Sequence, residues 1–170
     1  MALKRTSEVM TIGFDIDESA ANTFTQERID LQLDPLNREV FIVYAVDLDV
    51  GTPSVVATTN TQSTLCLTST SQTSIPRIGG PNVLARILTQ VKNIGPGDTA
   101  VFASRHPDSP TATSNLDYIG LVATSDMYAQ IQGANNTGAI VGSGKIWGAR
   151  AQADAATYAA LVQSQVLSGQ

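Results

Sequence analysis

Hydrophobic and polar positions alternate along much of this chain. Between residues 9 and 17, Ile12, Phe14 and Ile16 fall on one side and Thr11, Gly13, Asp15 and Asp17 on the other. That period of two is the signature of a half-buried strand. A polar connection, 18–23, follows. Ile29, Leu31 and Leu33 then alternate with Arg28, Asp30, Gln32 and Asp34, and Pro35-Leu36-Asn37-Arg38 has the composition of a tight turn. Residues 39–49 start as a continuous apolar run, Val40 to Val46, and end alternating through Asp47, Leu48 and Asp49. A strand of that kind is central, with both faces covered at its start, and together the two runs predict a β-hairpin.

Further along, 55–59 and 63–70 read as short Thr-rich β segments, and 69–76 as a loop. At 81–92 the period changes. Val83, Leu84, Ile87, Leu88 and Val91 follow Pro81-Asn82 at i, i+1, i+4, i+5, i+8, which predicts a short amphipathic helix ended by Gly95-Pro96-Gly97. Strands are expected at 99–104, 118–123 and 140–151, with an exposed loop at 105–115 and a turn at 135–138. The stretch 125–132 fits neither period clearly. Gly142, Gly144 and Gly148 weaken the last strand and mark where another backbone approaches closely. Asp154 is placed to cap a terminal helix over 155–166 with Tyr158, Leu161, Val162 and Val166 as its stripe. The sum is a mainly β chain: an antiparallel β-sandwich, jelly-roll first and immunoglobulin-like second, with one short inserted helix and a C-terminal helix. It forms one domain over 1–170, with an N-terminal arm at 1–8 and a helical tail at 152–170.

Composition agrees. Of 170 residues, 42% are hydrophobic and only 15% charged, which argues against disorder. Nineteen Thr and fourteen Ser stand against four Glu and three Lys, so polarity is carried by hydroxyls, as on pleated surfaces. The net charge of −5, with only Lys4-Arg5 as a basic pair at the start, gives no strong nucleic-acid signature. No apolar stretch follows Lys4-Arg5 as a secretory signal would need, and no window is long enough for a transmembrane segment. Cys66 is the only cysteine, so no internal disulfide forms, and it is expected to pack as a small hydrophobe.

The chemistry-bearing residues do not assemble into a catalytic set. His106, the only histidine, has Asp108 nearby as a potential orienter, but the segment reads as a solvated loop. Asp15, Asp17 and Ser19 open like a calcium loop, yet Ala20 stands where Gly is needed and Gln26 where a bidentate Glu is needed. Asp47 and Asp49 repeat the pair without the rest. Gly142-Ser143-Gly144-Lys145-Ile146-Trp147-Gly148 fails both the P-loop spacing, with Ala139 and Ile146 at required Gly and Ser/Thr positions, and the dinucleotide fingerprint. There is no Gly-x-Ser-x-Gly elbow. Asn135-Asn136-Thr137 is a glycosylation sequon that reads as a turn. The reading is not an enzyme, with no catalytic, cofactor-binding or metal residue and no cofactor.

What remains is the surface. Sparse charge lowers the cost of packing against neighbours, and extensions at both ends are of the kind exchanged between protomers. Over about residues 9–151, the strand pair 28–34 and 39–49 joined by Pro35-Leu36-Asn37-Arg38, the Thr-rich middle and the helix expected at 81–92 resemble single jelly-roll viral capsid proteins. That resemblance implies a virion shell subunit, assembled in the host cytoplasm without a signal peptide, whose partners are copies of itself and other virion proteins. Since the long basic arm of genome-wrapping capsids is missing, it implies contact with proteins or an internal membrane more than with bare nucleic acid. The competing expectation is a monomeric ligand- or glycan-binding module, with Trp147, Tyr118 and Tyr128 as platforms.

Overall fold

A computed structural model of the chain describes residues 3–80, 82–93, 95, 101–106 and 116–168. These form ten strands and one helix: β1 (Lys4–Arg5), β2 (Met10–Asp17), β3 (Thr25–Asp30), β4 (Glu39–Val50), β5 (Thr61–Thr68), β6 (Val83–Asn93), β7 (Val101–His106), β8 (Gly120–Val122), β9 (Asp126–Ala134), β10 (Val141–Gln152) and α1 (Ala155–Ser168).

The pairing is nested. β2 pairs with β10, β3 with β9, β4 with β8 and β5 with β6, all antiparallel. Nesting of this kind is one long hairpin whose tip is β5–β6. Two more pairings, β10 with β4 and β9 with β5, roll that hairpin into two facing sheets. The first sheet runs β2-β10-β4-β8, with β1 continuing the β2 side along β10, and the second runs β3-β9-β5-β6-β7. This is the jelly-roll order; the immunoglobulin-like arrangement is not formed.

Alternation decides which side chains fill the space between the sheets. Ile12, Phe14 and Ile16 from β2, Ile29, Leu31 and Leu33 around β3, and Phe41 and Val43 from β4 face Leu65, Leu67, Ile87, Met127 and Ile131. In β4 the buried positions change parity, from Phe41 and Val43 to Val46, Leu48 and Val50. The cause is a bulge. Ala45 pairs with Trp147 and Val43 with Gly148, so Tyr44 is the extra residue. On β10, a Cβ at Gly144 would lie 2.5 Å from the Phe14 ring, and one at Gly148 would strike the Phe41 ring. Glycine there makes room for aromatic rings of the neighbouring strands.

The continuous apolar start of β4 has its explanation on the outer face. Val40 and Ile42 point away from the main core and join Ala123, Ala151 and Ala153 in a second cluster. Helix α1 covers it with Tyr158, Leu161 and Val162. Asp154 caps that helix, Oδ1 accepting from Thr157 N at 2.8 Å and Oδ2 from Thr157 Oγ1 at 3.0 Å. The carboxyl is held below its ordinary value mainly by the Thr157 backbone N–H, with the Thr157 hydroxyl next.

The inserted helix expected at 81–92 is not formed: Val83–Asn93 is strand β6. Two periods share Val83, Ile87 and Val91. The helical one adds Leu84 and Leu88; the strand one adds Ala85 and Thr89, which are the buried ones. Pairing with β5 from Thr61–Val91 to Thr68–Val83 settles the choice in favour of the strand. Residues 55–59 make a turn with an isolated Val56–Thr59 bridge rather than a strand. The ambiguous 125–132 falls in β9, an interior strand between β3 and β5. Arg105 and His106, expected in a loop, end β7, and 107–115 lie outside the described residues.

Candidate functional site

Three regions of the surface carry polar or aromatic side chains in organised positions. The first is the outer face of the first sheet, away from α1. Across β2, β10 and β4 the register sets Asp15, Ser143 and Asp49 in one row and Gly13, Lys145 and Asp47 in the next. They line an open cleft of about 350 Å³ with Phe14 and Gly144. The sheet thus brings Asp15 together with Asp47 and Asp49, which the sequence shows far apart, while Asp17 pairs with Val141 outside the cleft. Ser19 is not in this row: its backbone N–H donates to Thr25 Oγ1 at 3.0 Å. Among the described residues no group of three or more His, Cys, Asp or Glu is placed to hold a metal ion.

The next row along the same face holds Thr11, Trp147 and Ala45. Beyond it the bulged Tyr44 and Tyr118, with Leu3, Ile42 and Asp117, line a cavity of about 400 Å³. Trp147, on β10, and Tyr118, just before β8, therefore lie along the first sheet. Tyr128 does not; it pairs with Arg28 and Thr68 in the second sheet.

The second region is a polar knot where β2, β4 and β9 end. Glu18, which opens the polar connection read from the sequence, is only 5% exposed. Its carboxylate accepts from the backbone N–H of Gly133 at 2.5 Å and of Ile140 at 3.0 Å. Asn136 N donates to Asn22 Oδ1 at 2.7 Å and Asn136 O accepts from Asn22 Nδ2 at 2.9 Å. The Asn136 side chain donates to Gln62 O at 2.8 Å and accepts from Ser54 N at 2.9 Å. The turn read from the sequon is present, with Asn135 and Asn22 both at positive φ, 58° and 61°.

The third region lies over the second sheet, where residues 69–80 cross its outer face. Gln72 N donates to Gln26 Oε1 at 2.7 Å, and the buried Gln130 donates to Gln26 Oε1 at 3.1 Å and to Thr68 Oγ1 at 2.7 Å. Cys66 packs there as expected, buried, with its thiol donating to Pro76 O at 3.6 Å. Burial pushes the thiol pKa up to about 12, against the opposing pull of the Arg86 charge.

The remaining candidates separate. His106 sits opposite Leu88 in the β6–β7 pair, and Asp108 lies outside the described residues. The Gly142–Gly148 run is strand β10, with no phosphate-cradling loop. Lys4 and Arg5 form β1 on Gln152 and Ala151, with Arg5 paired to Glu8 at 3.4 Å. Residue Gln165 was not anticipated. It is the deepest-set residue of α1 among those described, and its side chain bonds the backbone of 121–124.

No protein-family model matches this chain, and no curated protein matches it. A solved chain from desmodium yellow mottle tymovirus is similar over 87% of this chain and 90% of that one, at 10% identity and a TM-score of 0.29. A TM-score that low does not establish a shared fold. The jelly-roll order stands on the strand register alone. No helix of the described residues is long and apolar enough to cross a membrane.

Proposed function

We propose that this chain is a structural, self-assembling subunit, most specifically of a virion shell, rather than an enzyme. The observation that carries the reading is the nested strand order, since the eight-stranded jelly-roll is an architecture of viral capsid domains. Lectins and cupins use it too, so fold analogy alone does not fix the role. Exposed apolar side chains add to the support. Leu36, 92% exposed, stands on the turn before β4, and Val166 and Leu167 stand exposed on the last turn of α1. Both places belong to one end of the sandwich, because Leu31 N donates to Ser125 O between the β3–β4 and β8–β9 connections and Gln165 bonds Thr124. Apolar side chains held out of a core at one end suit burial against another copy. In such an assembly the partners are copies of this chain and other virion proteins, an internal membrane being a further contact, and the location is the virion.

Size-exclusion chromatography with light scattering, followed by negative-stain imaging, tests this. Closed particles or symmetric rings are expected. A monomer near 17.9 kDa at every concentration and salt would overturn it. The second reading, a ligand-binding module, is favoured by the Tyr44–Tyr118 cavity beside Trp147. Under that reading a glycan array gives binding that Tyr118→Ala removes.

A further inference from the structure

Sheet edges in this fold are protected unequally. β2, at one edge of the first sheet, carries Asp15 and Asp17, and β3, at an edge of the second, carries Glu27, Arg28 and Asp30. Charged side chains of this kind discourage a strand from another molecule. β8 forms the opposite edge of the first sheet, and the stretch Ile119-Gly120-Leu121-Val122-Ala123 has no charge at all. It is an apolar edge without charge protection.

Helix α1 supplies the missing protection through one side chain. Gln165 Nε2 donates to Leu121 O at 2.8 Å, and Gln165 Oε1 accepts from Ala123 N at 3.1 Å and Thr124 N at 3.3 Å. Leu121 C=O and Ala123 N–H are two residues apart and face the same side of the strand, where a partner strand would bond. The carboxamide, one donor and one acceptor, takes the places of the N–H and the C=O that two residues of a partner strand would present. Tyr158, Leu161 and Val162 are only half-buried, while Gln165 is 5% exposed. A helix docked to hide apolar surface alone would place an apolar residue at its deepest point. Here a glutamine occupies it.

We propose that α1 is a latch: the Gln165 carboxamide keeps the β8 edge from pairing with the β8 edge of a second copy of this chain, and release of α1 opens that contact. The edge is self-complementary. Two antiparallel copies related by a twofold axis exchange Leu121 C=O and Ala123 N–H bonds reciprocally. Val40, Ile42 and Leu121, which α1 leaves bare on departure, supply apolar area beside the new seam.

The inference does not depend on the shell reading, and the test separates them. Light scattering is run on the wild type, Gln165→Ala, Gln165→Glu and the double variant Gln165→Ala with Ala123→Pro, each at several concentrations, with amide hydrogen exchange alongside. The shell reading is judged on the wild type; the latch is judged on the variants relative to it. In Gln165→Ala, exchange at Ala123 and Thr124 is expected to accelerate on the order of tenfold or more. A concentration-dependent species of twice the wild-type unit mass is expected to appear. Proline at 123 removes the edge N–H, so the double variant is expected to lose that species. Gln165→Glu keeps the acceptors and loses the donor to Leu121, and is expected to fall between the two; it carries the test if Gln165→Ala does not fold. Variants with unchanged mass, or association that persists in the double variant, would overturn the proposal.

Discussion

Asn136 makes hydrogen bonds through its backbone N–H, backbone C=O, side-chain donor and side-chain acceptor, each to a residue from a different or distant segment. Removing the side chain leaves Ser54 N–H and Gln62 C=O without these partners. Asn136→Ala is therefore expected to cost about 2–3 kcal/mol, read as a fall in the urea midpoint at unchanged slope. The sequence marked this residue as part of a turn, not as the pivot of a knot, because its partners at 22, 54 and 62 lie 74 to 114 residues away. At Gly148 the glycine signals a neighbouring backbone; the structure has one, Ile42 O, 2.5 Å from where a Cβ would stand, and beside it the Phe41 ring, which the sequence did not signal. Gly148→Ala must displace that ring, an overpacking cost of about 1–3 kcal/mol, measurable in the same melts. Cys66 has a chemical readout. With its pKa pushed to about 12 by burial, the native thiol is expected to resist a maleimide at pH 8 and to react fully once urea unfolds the chain. The raised value also has a stability sign. The contribution is complete below the ordinary thiol pKa of 9.0 and is lost as pH rises from there through about 12.

At the scale of elements, strands with one dominant period were legible. β2, the alternating half of β4 and β10 fall where alternation placed them, and the Asp154 cap fixed the start of α1. β6 was not legible, because Val83, Ile87 and Val91 satisfy both a helix and a strand, and its pairing with β5 chose between them. Nor was the parity change in β4, since only the register against Trp147 and Gly148 reveals Tyr44 as the bulged residue. The candidate site was legible in its residue types and not in its grouping. Asp15 and Asp49 are 34 positions apart by number and meet only because β10 lies between their strands. Helix α1 has no acidic residue in its first turn and no basic residue in its last, so its N-terminus depends on the one cap. The Asp154 carboxyl titrates below its ordinary 3.8. Its contribution is complete above that value and is lost as pH falls through the lower folded value. Fraying at Ala156 and Thr157 is expected there, seen in their amide shifts between pH 5 and about 2, with the strand amides unchanged.

For the whole molecule, exposed apolar residues at the β3–β4 turn and the end of α1 define the surface expected to meet a neighbour. Leu36→Asp places a charge where a contact would have to desolvate it. It is expected to leave the β-rich circular dichroism intact and to lower the assembled fraction at least tenfold; an unchanged mass distribution would exclude that turn from the contact. The order of the strands also sets a timetable. β10, residues 141–152, lies between β2 and β4, and neither of those touches the other in the sheet without it. As the chain leaves the ribosome, β2 and β4 wait for each other until residues 141–152 have emerged, well over half the described sandwich later, and sheet closure awaits that strand. Such non-local pairing makes folding slow and leaves apolar strands open to misassociation. A circularly permuted gene that joins residue 170 to residue 1 and opens within the 69–80 loop would bring β10 and β2 out together, shortening that wait while keeping the strand pairings of both sheets.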